Sequence, residues 1–384
     1  IFIAQFFGAR DKEHMKQSFR FSILSAYAIT LPIFMLAYLF PEHIVGFFTN
    51  EPEVIALGIA YVKMACFSFL PTGLSLAITG ALRSVGESRL PLYVSIVTVF
   101  TNTFLNYCLI FGNFGFAPLG VVGAAIATLI ARLVEMCLLL LIVYHFDFDF
   151  TTKLKELFHI SAALAKRIAI KAAPLALNEV LWAAGMATIF KLYGTRGPEV
   201  LSGYSVANTT TDLFFTLFQG MAIATTVMVS QRLGANKLEE ARSNGYKMLG
   251  TATSIALAVS VLMFAAAFVV PELYSISSEA LNVARMQIII QSFCFWIYTM
   301  NCQNYFILRA GGDTKNTLIT DSCFMWFVNI PLLAVLAYST NLNIFWLYLI
   351  GQSTDLLKLC VSTHLVRKEK WVVNLAHHAE VEIV

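Results

Sequence analysis

The strongest constraint on this chain is a series of apolar runs, each about 20 residues or longer. They follow one another with short polar breaks to position 366. A bilayer's hydrocarbon core is about 30 Å thick and a helix rises about 1.5 Å per residue, so runs of this length are spanning helices. By that measure ten spans are read, near 19–41, 54–82, 90–112, 120–146, 168–192, 200–230, 248–270, 281–308, 317–339 and 344–366. The opening IFIAQFFGARDKEHMK reads as the end of a further span entering a basic loop. A transmembrane barrel would show segments of about 10 residues alternating apolar and polar, whereas AAIATLIARLVEMCLLLLIVY is apolar all round. Composition agrees with a membrane solvent: 58% of the 384 residues are hydrophobic and 13% charged, against about 25% charged in soluble proteins. The net charge of +3 is too mild for nucleic-acid binding. The surroundings expected are a lipid bilayer and the protein a monomer.

Orientation follows from the basic residues. If the loop after the opening stub is cytoplasmic, twenty of the 26 lysines and arginines share that side, a strong positive-inside bias that also makes the C-terminus cytoplasmic. A multi-pass protein of the plasma (inner) membrane is expected. All seven cysteines fall inside apolar runs, without a CxxC pair or a histidine at zinc-ligand spacing. They read as small core- or lipid-facing residues, so neither a metal site nor a cofactor is expected.

The chain also repeats itself. LRSVGESRLPL (82–92) lies over LRAGGDTKNTL (308–318), and IAQFFGARDKE (3–13) over VSQRLGANKLE (229–239), both at the offset that carries Arg83 onto Arg309. Two unrelated stretches agreeing on one offset indicate a parallel duplication, with its axis along the membrane normal. Arg132 and Lys358, cations inside apolar spans, keep the same separation. The expected domains are an N-terminal lobe (1–146), a cytoplasmic linker (147–167), a C-terminal lobe of six spans (168–366) and a cytoplasmic tail (367–384). Mapping the second lobe back by that offset puts the start of the first well before Ile1, so one span and most of another are expected to be absent. Arg83 and Arg309 then occupy equivalent cytoplasmic turns, where Gly86 and Gly312 permit a tight reversal. They serve either the turn alone or the closing of a cytoplasmic gate.

Spans in six-plus-six order resemble the multidrug and toxic compound extrusion (MATE) family when they carry LR-x-x-G-[ED]-[ST]-[RK] after the fourth and tenth, and [AS]-Q-x-x-G-A after the second and eighth. Asn102 and Asn106 with LGVVGAAIAT (119–128), and ALNEVLWAAG (176–185), add to the likeness. The resemblance covers nearly the whole chain. It implies an all-α membrane protein of two parallel-duplicated six-helix lobes around a central cleft, and an antiporter working by alternating access. Such a protein exports small organic, mostly cationic, drugs or toxic metabolites in exchange for protons or sodium ions. A glutamate at this place in the family's seventh helix takes part in cation coupling, and ALNEVLW puts Glu179 on it. Residues 296–304, WIYTMNCQN, lack the acid that some members carry in the tenth helix.

A charge at mid-membrane is costly, about 2.5–3.5 kcal/mol on insertion scales, so each calls for a reason. Glu179 lies deep in its span after Pro174, whose missing donor loosens the backbone. It is the first candidate for ion coupling, against a plain hydrogen bond to a neighbouring helix. Asp212 is the second: Tyr204, Asn208, Asp212, Phe215 and Gln219 form a polar stripe at helical spacing, which must face protein or water. Tyr298, Asn301 and Tyr305 share a face of the tenth span, as do Asn102, Asn106 and Asn113 in the first lobe, and these are candidate cleft residues. Arg132 with Glu135, and Lys358 with Asp355, are three apart and expected to pair along their own helices. Asp321 is expected to cap or pair locally at the start of its span, and Lys63 has no assigned place.

Other function classes find less support. An intramembrane enzyme would need paired catalytic groups, and there is no HExxH, no GxSxG and no close Ser/His or Asp/Asp constellation. A flippase of lipid-linked sugars, the alternative within the same superfamily, would want a strongly cationic cleft, whereas the deepest groups here are acidic.

Overall fold

A computed structural model describes residues 1–46 and 51–376, and among these every regular element is helical. The first unit, residues 2–165, contains α1 (Phe2–Ala9), α2 (Lys12–Leu39), α3 (Pro41–Gly46), α4 (Pro52–Ala65), α5 (Phe69–Ser84), α6 (Arg89–Phe111) and α7 (Gly120–Phe146). The second, from Lys166 onward, takes nearly all of α8 (Ala162–Gly194), then α9 (Pro198–Gly234), α10 (Leu238–Val269), α11 (Ser278–Ala310), α12 (Thr314–Leu318), α13 (Ile330–Ser339) and α14 (Ile344–Arg367). Among the described residues ten helices or helix runs are long and apolar enough to cross a membrane, matching the ten spans read from sequence. Large apolar side chains cover their outer faces: Phe100 is 71% and Phe327 80% exposed. In water that would be a liability; in a bilayer it is the lipid-facing surface.

Two spans are broken, each at a proline. A one-turn 3-10 segment, Cys66–Ser68, separates α4 from α5. Pro71 follows it, with no N–H to offer the Phe67 carbonyl and a ring that crowds it. Between α12 and α13 the backbone widens into π-helical turns, Ile319–Cys323 and Met325–Asn329, ahead of Pro331.

The duplication reappears in the backbone hydrogen bonds. In the first unit Gly86 N–H donates to Arg83 O at 3.0 Å and Glu87 N–H to Leu82 O at 2.9 Å. At the equivalent turn of the second, Gly312 N–H donates to Arg309 O at 2.9 Å and Asp313 N–H to Leu308 O at 3.0 Å. Gly86 and Gly312 have φ of 95° and 76°, the left-handed conformation that closes a helix end and satisfies its last carbonyls. The other paired motif behaves alike. Arg10 and Asn236 adopt φ of 61° and 58°, and Asp11 N–H to Phe6 O matches Lys237 N–H to Arg232 O, both 2.9 Å.

Within the first unit α6 packs against α7, α2 against α5, and α7 also against α4 and α5. Within the second, α11 is the central helix, contacting α9, α10 and α14, and 56% of its most apolar stretch is buried. That helix buries Gln287, Gln291, Thr299, Asn301, Gln303 and Asn304. Neighbours answer several of them: Thr225 donates to Gln303 Oε1 at 2.9 Å, and Asn304 to Ser362 Oγ at 3.0 Å. At the other end of this unit Arg196 gathers the carbonyls of Leu336, Ala337, Thr340 and Leu342, closing the C-terminus of α13.

The segment after the last helix of each unit folds back instead of running free. Of the stretch expected as a separate linker, 147–167, residues 147–165 group with the first unit. The reason is Arg20, 4% exposed, whose guanidinium needs acceptors and finds Thr152 Oγ1 at 2.7 Å, Glu156 Oε2 at 2.7 Å and the His159 carbonyl at 2.9 Å. Beside it Phe150 packs edge-on to Phe19, centroids 5.0 Å apart. In the second unit the first part of the expected tail is likewise docked, while residues 377–384 lie outside the described residues. Trp371 is fully buried against Val229, Leu233, Ile307 and Leu308, its Nε1 donating to Val366 O at 2.9 Å. A Cβ at Gly311 would lie 1.8 Å from the Trp371 carbonyl oxygen. This explains why the second copy reads Gly-Gly where the first reads Val85-Gly86. Tyr246, which the repeat places over Arg20, meets the returning chain through Glu369 Oε1 at 3.1 Å.

Candidate functional site

The second unit holds an open cavity of about 390 Å³ lined by α8, α9, α11, the π-helical turns and α14. From α9 come Tyr204, Asn208, Asp212, Phe215 and Gln219, the complete polar stripe read from sequence. From α8 come Asn178 and Glu179, and from α11 Tyr298, Asn301 and Tyr305. Six of the residues expected to carry the site therefore share one cavity: Glu179, Asp212, Asn208, Tyr298, Asn301 and Tyr305. Helical periodicity is the cause, since residues three or four apart return to one face.

The remaining candidates lie elsewhere. Asn102 and Asn106 belong to the first unit, where Asn106 Nδ2 donates to Asn102 Oδ1 at 3.0 Å and Asn102 Nδ2 reaches Thr128 Oγ1 on α7 at 3.5 Å. Asn113 does not share their face: the chain turns left-handed at Gly112, and Asn113 donates to the Tyr107 carbonyl at 3.3 Å. Arg83 and Arg309 stand half-buried in the last turns of α5 and α11, where a cation favours the helix dipole. Arg309 also lies over the Phe306 ring, 5.6 Å from its centroid. Lys63 is exposed near the C-terminal end of α4, a similarly favourable place.

The charges at membrane depth pair differently from expectation. Arg132 does bind Glu135 along its own helix, at 2.7 Å. Lys358 does not take Asp355 in the same way. Its Nζ lies 2.6 Å from Asp321 Oδ1, across two helices. Asp321 therefore is no local cap; it sits on the first π-helical turn and faces the cavity. Its other oxygen, Oδ2, accepts from Asn178 Nδ2 at 2.9 Å. Asn178 is in turn fixed by Ser322, whose N–H reaches Asn178 Oδ1 at 3.2 Å and whose hydroxyl reaches the Asn178 carbonyl at 2.8 Å.

Four carboxylates, Glu179, Asp212, Asp321 and Asp355, thus face the cavity with one ammonium, Lys358. Among the described residues no cation lies within ion-pair distance of Glu179 or Asp212, and the Asp212 carboxylate accepts from Asn208 Nδ2, at 3.2 Å. Aromatic rings supply the apolar wall: Phe215 and Tyr298 meet at a tilt with centroids 4.6 Å apart, beside Trp182, Tyr305 and Phe306. Such a site suits a cation with an apolar body, held by charge and by ring faces.

Sequence reasoning passed over Asn178, the Asp321–Lys358 pair, and Asn329, which donates to Thr354 Oγ1 at 2.6 Å. A signal for the last existed in the repeat. Asn102 and Thr128 are partners in the first unit. Thr354 follows Thr128 by the repeat offset, and Asn329 follows Asn102 by that offset and one position more. The extra residue is what a π turn inserts.

The MatE family model matches residues 1–108 and 174–335. A probable multidrug resistance protein NorM of Bradyrhizobium diazoefficiens is 26% identical over 348 residues, covering 89% of this chain and 74% of that protein. A second protein of that description, from Halalkalibacterium halodurans, is 23% identical over 363 residues, covering 94% and 79%. Among solved structures, a crystal structure of MATE in complex with MaL6 superposes with a TM-score of 0.86 at 19% identity, covering 96% of this chain and 82% of that one. That likeness concerns the fold.

Proposed function

The chain belongs to the MatE family and is a multi-pass membrane protein, and from that premise we propose that it exports small organic cations, drugs or toxic metabolites, as a secondary antiporter. The observation that carries this reading is the cavity of the second unit, where Glu179 and Asp212 stand among aromatic walls without a cationic partner among the described residues. The matched relatives named as multidrug resistance proteins support it.

Coupling follows from competition for the same carboxylates. Outward-facing and empty, Glu179 takes up a proton or a sodium ion, which weakens its attraction for the organic cation and releases it outside. Facing the cytoplasm, it loses that ion and attracts the next cation. The carboxylate binds one cation at a time, so the inorganic and the organic cation exclude each other from it at each stage. Asp212 serves as the second coupling carboxylate, and Asn208, Tyr298, Asn301 and Tyr305 position the substrate. Arg83 and Arg309, on the basic side assigned to the cytoplasm with the C-terminus, each serve the closing of the cytoplasmic gate. Substitution Arg309→Ala should then raise labelling of the cavity residue Cys302 from the cytoplasmic side, and equal labelling would leave the turn as their whole role. A flippase reading is disfavoured by the charge: a diphosphate would meet four carboxylates and an ammonium already engaged.

The test is uptake of ethidium by inside-out vesicles under an imposed proton or sodium gradient. Accumulation above that of protein-free vesicles, collapsing with the gradient, is expected; accumulation indifferent to both gradients refutes antiport.

A further inference from the structure

The Asp321–Lys358 pair has no counterpart among the described residues of the first unit. Arg132 keeps the register of Lys358 but pairs on its own helix, and α6 (RLPLYVSIVTVFTNTFLNYCLIF) has no acid to match Asp321. The cross-helix pair belongs to the unit that holds the cavity. It lines that cavity, with side chains 18% and 20% exposed, so it is open to what enters without being washed by bulk solvent. Both oxygens of Asp321 are engaged, one by Lys358 and one by Asn178. Among the described residues Glu179 and Asp212 remain without a cation.

We propose that Lys358 is a tethered cation that sets how much positive charge the cavity accepts. By holding Asp321, it withdraws that carboxylate from an incoming substrate and adds a fixed positive charge that repels a second one. Asp355, one turn before Lys358 on α14 and also facing the cavity, lies in the same field. An entering cation is then left with Glu179 and Asp212, and a dication meets Lys358 unfavourably. This inference rests on the reading of the cavity as a cation site and adds to it a residue that determines charge selectivity.

The experiment compares equilibrium binding of ethidium, a monocation, and propidium, the dication built on the same ring system, to purified protein by fluorescence. Substitution Lys358→Met should raise the affinity for propidium relative to ethidium at least tenfold over the wild-type ratio. The double variant Lys358→Met with Asp321→Asn removes charge and partner together and should return the ratio to within about threefold of wild type. An unchanged ratio in Lys358→Met, or a double variant that keeps the single variant's ratio, overturns the proposal and leaves the pair a packing device. Should Lys358→Met elute aggregated, Asp321→Asn decides alone. It frees the ammonium into the cavity, so both dyes weaken and propidium weakens more; equal loss overturns the proposal. Failure of ethidium to bind wild-type protein would instead remove the cation-site reading on which it stands.

Discussion

Arg132 in the first unit and Lys358 in the second occupy the same place in a duplicated sequence and make different bonds. The arginine is 42% exposed and satisfied three residues away by Glu135; the lysine is 18% exposed and satisfied by Asp321, 37 residues away on another element. Duplication has kept the position of the cation while the partner has moved. Where the partner is local, the charge is an ornament of one helix. Where it is distant, the charge ties two helices and enters a cavity. The same lesson holds at the ends of the units, where Phe150 meets Phe19 in one copy and Trp371 meets Gly245 in the other.

The two units should differ most at the cross-helix pair. Asp321→Ala leaves Lys358 without its counter-ion in a largely buried place and should cost about 3–5 kcal/mol. A thermal melt in detergent should show that loss, and a melt unchanged from wild type would mean that the lysine finds another partner as good. Next comes the motif's one glycine difference. Gly311→Val, which gives the second copy the residue of the first, drives a side chain into the Trp371 backbone and should cost about 3 kcal/mol or more. The reciprocal Val85→Gly should cost no more than about 1 kcal/mol. Limited proteolysis should accordingly release the C-terminal segment from Gly311→Val alone; equal protection of both variants would deny the docking its role. The smallest effect belongs to Glu135→Gln, whose amide oxygen can still accept from Arg132 along the same helix, and its melt should fall well short of the loss in Asp321→Ala. A loss as large as that of Asp321→Ala would erase the distinction between the two units.

Much of this was legible in the residues. Span length is set by the bilayer, so all ten helices could be placed from apolar runs alone. The repeat could be found in two short motifs because glycine-bearing turns tolerate little substitution, and their hydrogen bonds reproduce it. Glu179 and the α9 stripe stood out because polar groups in lipid are rare. What stayed hidden depended on contacts between helices. Spacing rules see residues three or four apart, so they offered Asp355 to Lys358 and could not see Asp321. The π turns shift register by one residue, which concealed the likeness of Asn329 to Asn102. Asn178 was overshadowed by its neighbour Glu179, yet it is the residue that binds α8 to the π turn through Ser322. A basic stretch past the last span reads as a solvated tail, and only the packing reveals Trp371 as its anchor.

In the proposed antiport a carboxylate of the second unit's cavity exchanges an inorganic cation for an organic one. Its most direct test is gradient-driven ethidium transport in proteoliposomes containing wild type, Glu179→Gln or Asp212→Asn, with each variant's insertion checked by its melt. Glu179→Gln should fold as wild type and lose gradient-driven transport. If Glu179→Gln moves ethidium at the wild-type rate while Asp212→Asn does not, the coupling carboxylate is on α9 and the role given to Glu179 is wrong.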